Sequence, residues 1–427
     1  MIARNSWYRR ESLGCRESPS NSGVGKAEEM STNDGKVVVY RGMTILSGKE
    51  LKPIKDAYLV VRDKYILDIG TDPAPPGVDL SGAVVIPAFI NAHTHIADSG
   101  FKDAAIGLPT EKAVSPPHGL KYRYLSALSM LELKKVLSEA LQELCCNGIA
   151  AFADFREGGV AGTLALREVL NQFPLQGVVI ADPTRAPWED GFLREIGEIA
   201  EHADGVGIGD IAYFTDDQLQ TIRSVLGKKK LAAHIAETET AQRECRRKWG
   251  KSEVVRILEH KPDLLVHLTN PMAGDLELLA EARIPVVCCV RANCILGDGI
   301  PPLDELVAHD IPLALGTDNM MFTSPDMFRE MDWFSRLIRG KTRRADIVSP
   351  RQVLSIATLG GAKALGLGER LGTLEPGKVA SFVVLDMGSI NLRHTRDLYA
   401  AIVHRAGLRD IEKVVLEGRE VFDRGAR

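Results

Sequence analysis

Short apolar runs recur along the chain, and several stop on a residue able to bind a metal or move a proton. The run Val84-Val85-Ile86-Pro87-Ala88-Phe89-Ile90-Asn91-Ala92-His93-Thr94-His95 is rich in Val and Ile and predicts a buried strand. Side chains two apart on a strand share a face, so His93 and His95 converge at its end. The runs Leu231-Ala232-Ala233-His234-Ile235-Ala236-Glu237 and Leu264-Leu265-Val266-His267 repeat the pattern, and Ile311-Pro312-Leu313-Ala314-Leu315-Gly316-Thr317-Asp318 ends on a carboxylate. One such ending is an ordinary satisfied polar group. Four in one chain point to a shared purpose, because unpaired polar groups are rarely buried. Two imidazoles alone are not a site, since zinc normally takes three or four protein ligands.

Candidate strands end near His95, Phe155, Asp182, Phe214, His234, His267, Val290 and Asp318, with helical stretches such as 132–144, 162–172 and 276–282 between them. Repeated βα units predict a parallel sheet, and eight of them close into a barrel whose chemistry sits at the C-terminal strand ends. No G-x-G-x-x-G turn follows a strand, which counts against an open doubly wound sheet. Residues 36–83 and 370–427 read instead as short β runs separated by Gly, Lys and Asp. The expected fold is α/β: a (β/α)8 TIM barrel over 84–369, with a small β-sandwich domain built from both chain ends. Residues 1–35 are rich in Ser, Gly and Arg without apolar periodicity and read as a disordered N-terminal extension, and Met30 offers an alternative start. The long connection 96–120, with Pro109, Pro116 and Pro117, predicts a lid or binding loop.

Composition adds exclusions. At 427 residues, 45% hydrophobic and 26% charged, the chain resembles ordinary soluble proteins. A formal net charge of -4 gives no reason to expect a nucleic acid as partner. No apolar run has the length of a membrane span, so no membrane partner is expected. The seven cysteines show no C-x-x-C; pairs such as Cys145-Cys146 and Cys288-Cys289 lie in apolar stretches and read as buried reduced thiols of a cytoplasmic protein. The H-x-E with P-C-x-x-C signature of the other zinc deaminases is missing.

Five stretches together resemble the amidohydrolase superfamily: Pro87-Ala88-Phe89-Ile90-Asn91-Ala92-His93-Thr94-His95, His234-Ile235-Ala236-Glu237, Gly316-Thr317-Asp318-Asn319, Ala357-Thr358-Leu359-Gly360-Gly361-Ala362-Lys363-Ala364-Leu365-Gly366 and Gly372-Thr373-Leu374-Glu375-Pro376-Gly377-Lys378. The nearest branch is that of cytosine deaminase, atrazine chlorohydrolase and the adenosine-analogue deaminases. The resemblance implies that His93, His95, His234 and Asp318 hold one divalent metal ion, Zn2+ or Fe2+. It implies a proton shuttle in Glu237 and, in His267, a group that orients water and stabilises charge. Binuclear relatives carry a carboxylated Lys, or another bridging ligand, at the end of a middle strand; residues 178–185 and 206–215 offer no Lys, so a mononuclear site is implied.

The chemistry leads to the same mechanism. Bound zinc lowers the pKa of its water to about 7. Asp318 can ligate the metal and take the water's proton, and Glu237 can protonate a ring nitrogen and then the departing ammonia. The expected activity is therefore hydrolytic deamination of an aminated heterocycle such as a purine, pyrimidine or pterin. Ring-amide hydrolysis of the imidazolonepropionase kind, or chloride displacement, would use the same residues. A non-catalytic scaffold would have lost them. Arg156, Arg185 and Arg291 follow candidate strands and could fork onto an anionic substituent of the substrate, with Asn293 and His118 as further substrate contacts; each Arg could equally pair with a local carboxylate. Relatives are often dimers or tetramers, so the resemblance also implies a homo-oligomer.

Overall fold

The computed structural model describes residues 30–32, 35–71 and 73–426. The expected disordered extension lies almost wholly outside the described residues. The strands from the chain's N-terminal part are β1 (Met30–Thr32), β2 (Gly35–Ser47), β3 (Lys52–Arg62), β4 (Tyr65–Thr71), β5 (Val78–Asp79) and β6 (Ala83–Pro87). There follow β7 (Phe89–His95), β8 (Ile149–Arg156), β9 (Gln176–Ala181), β10 (Gly205–Ile208), β11 (Lys230–Ile235), β12 (Leu264–His267), β13 (Val286–Cys288), β14 (Leu313–Leu315) and β15 (Asp318–Asn319). The last three are β16 (Phe382–Asp386), β17 (Ile411–Leu416) and β18 (Arg419–Asp423).

Strands β7 to β15 form one parallel nine-stranded sheet in the order β14-β13-β12-β11-β10-β9-β8-β7-β15. Helices such as Met130–Cys146, Gly159–Leu170 and Glu239–Trp249 connect them. Only Gly316 and Thr317 separate β14 from β15, yet β14 pairs with β13 and β15 with β7. The sheet therefore curls until its two edges meet in one chain segment, in the manner of a TIM-like barrel. Its strands are covered on both faces, which is why β7 and β8 are buried along their whole length and read as near-continuous apolar runs.

Two strand ends differ from expectation. β10 stops at Ile208, before Phe214, because Asp210 caps a short 3₁₀ turn over Ile211–Tyr213. β13 stops at Cys288, and Val290 already opens the helix Val290–Leu296. The connection after β7 is structured: a 3₁₀ turn over Ile96–Phe101, then helices Thr110–Ala113 and Leu120–Ala127.

Strands from both chain ends share the second sheet, ordered β18-β17-β16-β6-β2-β3-β4. They are joined by pairing into one sheet, with β1 and β5 also paired to β2. Alternation along the strands sends side chains to two cores. Val84, Ile86, Val383, Leu385 and Val414 pack with the barrel, whereas Ala83, Val85, Phe382, Val384 and Val415 join Tyr40, Met43, Ile45 and Leu59 in a separate core. A Glu-Gly hairpin turn joins β17 to β18. Glu417 (φ 47°) and Gly418 (φ 73°) are both left-handed, and a Cβ on Gly418 would strike the Asp63 carbonyl.

Phe382 is fully buried and meets Tyr40 edge-on, with ring centroids 5.2 Å apart. Phe382→Ala is expected to destabilise the protein by about 3–5 kcal/mol. Urea unfolding followed by circular dichroism checks this, and a change below about 1 kcal/mol would show that the second core is not stabilising.

Cys145, Cys245, Cys288 and Cys289 are buried free thiols. Cys146 departs from the expected reduced set, being disulfide-bonded. Among the described residues, no helix is long and apolar enough to cross a membrane.

Candidate active site

The polar residues that end β7, β11, β12 and the β14–β15 segment meet at one mouth of the barrel. Asp318 Oδ1 lies 3.1 Å from His93 Nε2 and 3.6 Å from His95 Nε2. The His234 ring lies 5.0 Å from that of His93, 5.7 Å from that of His95 and 5.3 Å from that of His267, centroid to centroid. Two overlapping sets of ligand atoms, His93-His95-Asp318 and His93-His234-His267, each lie within 4.8 Å of one another. His93 belongs to both.

Local structure explains the convergence. Strand alternation puts His93 and His95 on one face. Asn91 and Thr317 exchange two hydrogen bonds, Nδ2 to Oγ1 at 2.7 Å and backbone N to Oδ1 at 2.9 Å, locking the Asp318 segment beside β7. A Cβ on Gly316 would stand 2.8 Å from that of His93, so only glycine lets the segment pass. Asp318 (φ 60°), His267 (φ 75°) and Ala236 (φ 52°) all sit in the left-handed region. Such strained non-glycine backbone persists only where its surroundings hold it, and it gathers at functional sites.

The electrostatics suit a cation. Burial pushes the His93 imidazole down to about 3, and burial followed by neighbouring imidazoles pushes His234 well below its ordinary value. Burial also lowers His267. These rings are therefore neutral and keep lone pairs. Burial opposes the Asp318 charge, but the His93 hydrogen bond and the surrounding imidazoles hold its carboxyl below the usual range. His93 Nδ1 has no hydrogen-bond partner among the described residues. His95 differs: burial and Lys121 oppose its charge, but Glu157 and Asp318 hold it above its ordinary value. A buried carboxylate among imidazoles is the donor set of a borderline divalent ion such as zinc or iron(II), so the residues present fit the metal that the resemblance implies.

Glu237 follows β11 past the turn at Ala236, whose backbone N–H donates to Glu253 Oε2 at 2.6 Å. Its Oε1 lies 3.6 Å from His267 Nε2. Burial, then the charges of Asp298 and Asp318, push the Glu237 carboxyl well above the usual range. A metal ion's charge would counter part of that rise. His267 is backed by Asn293, whose Nδ2 lies 3.0 Å from His267 Nδ1. With the amide donating, the imidazole proton would sit on Nε2, which faces Glu237.

The remaining expected substrate contacts are not gathered at this centre. Arg156 is fully buried and paired with Asp154 at 3.2 Å and with Glu157. Burial opposes its charge, which those carboxylates more than restore, so no face of it is left for a substrate. Arg185 is exposed, with Nη1 donating to the Asp190 carbonyl at 3.1 Å within its own loop. Arg291 Nη1 donates to the Ser324 carbonyl at 3.1 Å and lies 3.2 Å from Glu330 Oε1, tying helix Val290–Leu296 to helix Met327–Thr342. Asn293 supports His267, and His118 is exposed in the connection after β7.

Sequence reasoning passed over Lys121 and Asp98, and left Glu157 among the local carboxylates with which an arginine could pair. Glu157 Oε1 lies 2.7 Å from His95 Nδ1, and Lys121 Nζ lies 2.9 Å from the same nitrogen. Glu157 directly follows the tip of β8, a position where barrel chemistry gathers and a signal that could have found it. Lys121 carries no such local signal.

The chain is similar to several known proteins over most of its length. A protein of Methanothermobacter thermautotrophicus that carries an aminohydrolase name is 34% identical over 90% of this chain and 99% of its own length. The 5-methylthioadenosine/S-adenosylhomocysteine deaminase of Moorella thermoacetica is 27% identical over 82% of this chain and 84% of its own length. A crystal structure of an adenosine deaminase from Xanthomonas campestris with bound zinc shares the fold with a TM-score of 0.83, at 20% identity, over 91% of this chain and 93% of that one. The model of the amidohydrolase family matches residues 84–421, and with that match the chain belongs to the amidohydrolase family.

Proposed function

We propose that the protein is a metal-dependent hydrolytic deaminase that replaces the amino group of a nitrogen heterocycle by oxygen. The observation that carries this reading is the pair of overlapping ligand sets at the barrel mouth, His93-His95-Asp318 and His93-His234-His267, with Glu237 3.6 Å from His267 beside them. The deaminase names of relatives matched over most of the chain support it, and favour an aminopurine among the heterocycles.

In this reading His93, His95, His234 and Asp318 hold one divalent ion, zinc or iron(II). When bound, the ion supplies the Lewis acidity that lets water ionise near neutral pH. Asp318 accepts the proton of the attacking water. Glu237, protonated, gives its proton to the ring nitrogen next to the reacting carbon, which makes that carbon electrophilic. His267 Nε2–H donates to the oxygen as negative charge develops there, a preorganised dipole that needs no reorganisation during reaction. The proton taken from water then passes through Glu237 to the leaving amino group, which departs as ammonia, and the remaining hydroxyl proton returns to Glu237 as the carbonyl forms.

The architecture that goes with this reading is a closed (β/α)8 barrel over 84–369, with 36–83 and 370–427 forming the small β-sandwich domain. The buried free thiols of Cys145, Cys245, Cys288 and Cys289 support a reducing compartment, the cytoplasm, and the disulfide at Cys146 counts against it. An anionic substituent finds less support, since Arg156 and Arg291 are already paired. Asp298, which burial pushes up to about 6, and Glu237 line the centre with acids instead.

The test is ammonia release from a panel of aminopurine nucleosides, aminopyrimidines, pterins and aminotriazines. Turnover of at least one with stoichiometric ammonia is expected. Ring opening or chloride release alone would replace this reading with one of its rivals.

A further inference from the structure

Beside the proposed metal centre sits a second set of ligand-type atoms, from His95, Asp98 and Glu157, all within 4.8 Å of one another. The site already contains a positive charge. Lys121, on helix Leu120–Ala127, is 2% exposed, and its ammonium reaches all three groups. It lies 2.9 Å from His95 Nδ1 and 3.3 Å from Asp98 Oδ2, and it contacts Glu157 Oε1. Asp98 Oδ2 also accepts from Asn319 Nδ2 at 2.5 Å, while its Oδ1 has no hydrogen-bond partner among the described residues. Arg156 takes the far side of Glu157 and pairs with Asp154.

The charge balance is the reason for the arrangement. Three buried carboxylates, Asp98, Asp154 and Glu157, face two buried cations, Lys121 and Arg156. Without Lys121, three carboxylates would face one guanidinium, in a place where unpaired charge is costly. The donors then left open, two carboxylates and an imidazole nitrogen, suit a divalent ion, and oxygen-rich sets favour manganese. Such an ion on His95 Nδ1 would displace that nitrogen's proton to solvent. It would make His95, whose Nε2 lies 3.6 Å from Asp318, a bridge between two ions.

We infer that Lys121 is a fixed cation occupying a latent second metal site formed by His95, Asp98 and Glu157, and that it is what keeps the centre mononuclear. The inference rests on the proposed metal centre and adds the residue that sets its stoichiometry. Lys121 acts through His95 and Glu157, so it is a positioning residue.

The experiment is metal analysis of full-length protein dialysed against Zn2+ and, separately, Mn2+. Wild type and Lys121→Arg are expected to hold one tightly bound ion per chain. Lys121→Met is expected to take up a second, with a new Mn2+ resonance signal when zinc fills the first site. The double variant K121M/E157Q should return to one. Should Lys121→Met fail to fold, Lys121→Gln removes the charge while keeping a polar end. A neutral variant that stays at one ion while its circular dichroism and melting remain cooperative would overturn the inference, as would two ions on the wild type. A wild type that binds none would instead sink the proposed metal centre.

Discussion

Replacing Asp318 by Asn is expected to remove both the metal and the activity. The side chain is nearly isosteric, so packing around this 4%-exposed residue should survive. What disappears is the only carboxylate in the set that includes His93 and His95, together with the acceptor proposed for water's proton. Neutral imidazoles alone hold a divalent ion less firmly, because no charge offsets its desolvation. One acid–base group is typically worth about 10²–10⁴-fold in rate, and Asp318 combines that role with ligation, so the loss in kcat/KM should reach or exceed the upper end of that range. Metal content measured beside activity checks the claim. Full metal occupancy with near-normal turnover would remove Asp318 from the centre.

Glu237→Gln should separate the two roles. The amide keeps the shape of the side chain but has no proton to deliver, so kcat should fall by about 10²–10⁴-fold. Metal content should stay at the wild-type level, because Glu237 belongs to none of the ligand sets. The pH profile offers a second reading. Burial and the charges of Asp298 and Asp318 raise the Glu237 carboxyl, so the working protonated form persists toward neutral pH. Activity then falls as pH rises through that raised value, and the alkaline limb should vanish in the variant. A variant that loses its metal, or keeps the same alkaline limb, would show that Glu237 acts otherwise.

The histidine pair at the end of β7 was legible from one line of residues, because strand alternation is a local rule and both side chains obey it. His234, His267 and Asp318 were legible for a related reason. Each closes an apolar run long enough to mark a strand, and a parallel barrel brings strand ends to one mouth whatever the loops between them do. The arginines were legible only as a choice between substrate and a local carboxylate. A guanidinium pairs with whichever carboxylate the fold delivers. For Arg291 that is Glu330, on another helix, and for Arg156 the carboxylates of Asp154 and Glu157 turned into the same buried pocket. The small sheet was readable as β structure at both chain ends. Its single connected pairing was not, because strand partners such as β6 and β16 are joined only by the fold.

From its order of residues alone, this chain commits to repeated strands and helices, to polar groups at the strand tips, and to a family. Those features rest on periodicities of two and 3.6 residues, which act over a few neighbours and need no knowledge of the rest. Three-dimensional packing alone decided which charges meet. It seated Lys121, from a helix in a long connection, between Glu157 and Asp98 beside a ligand of the proposed metal centre. Burial strengthens attraction between opposite charges and penalises any left unpaired, so each such partnership depends on distances that no linear spacing encodes.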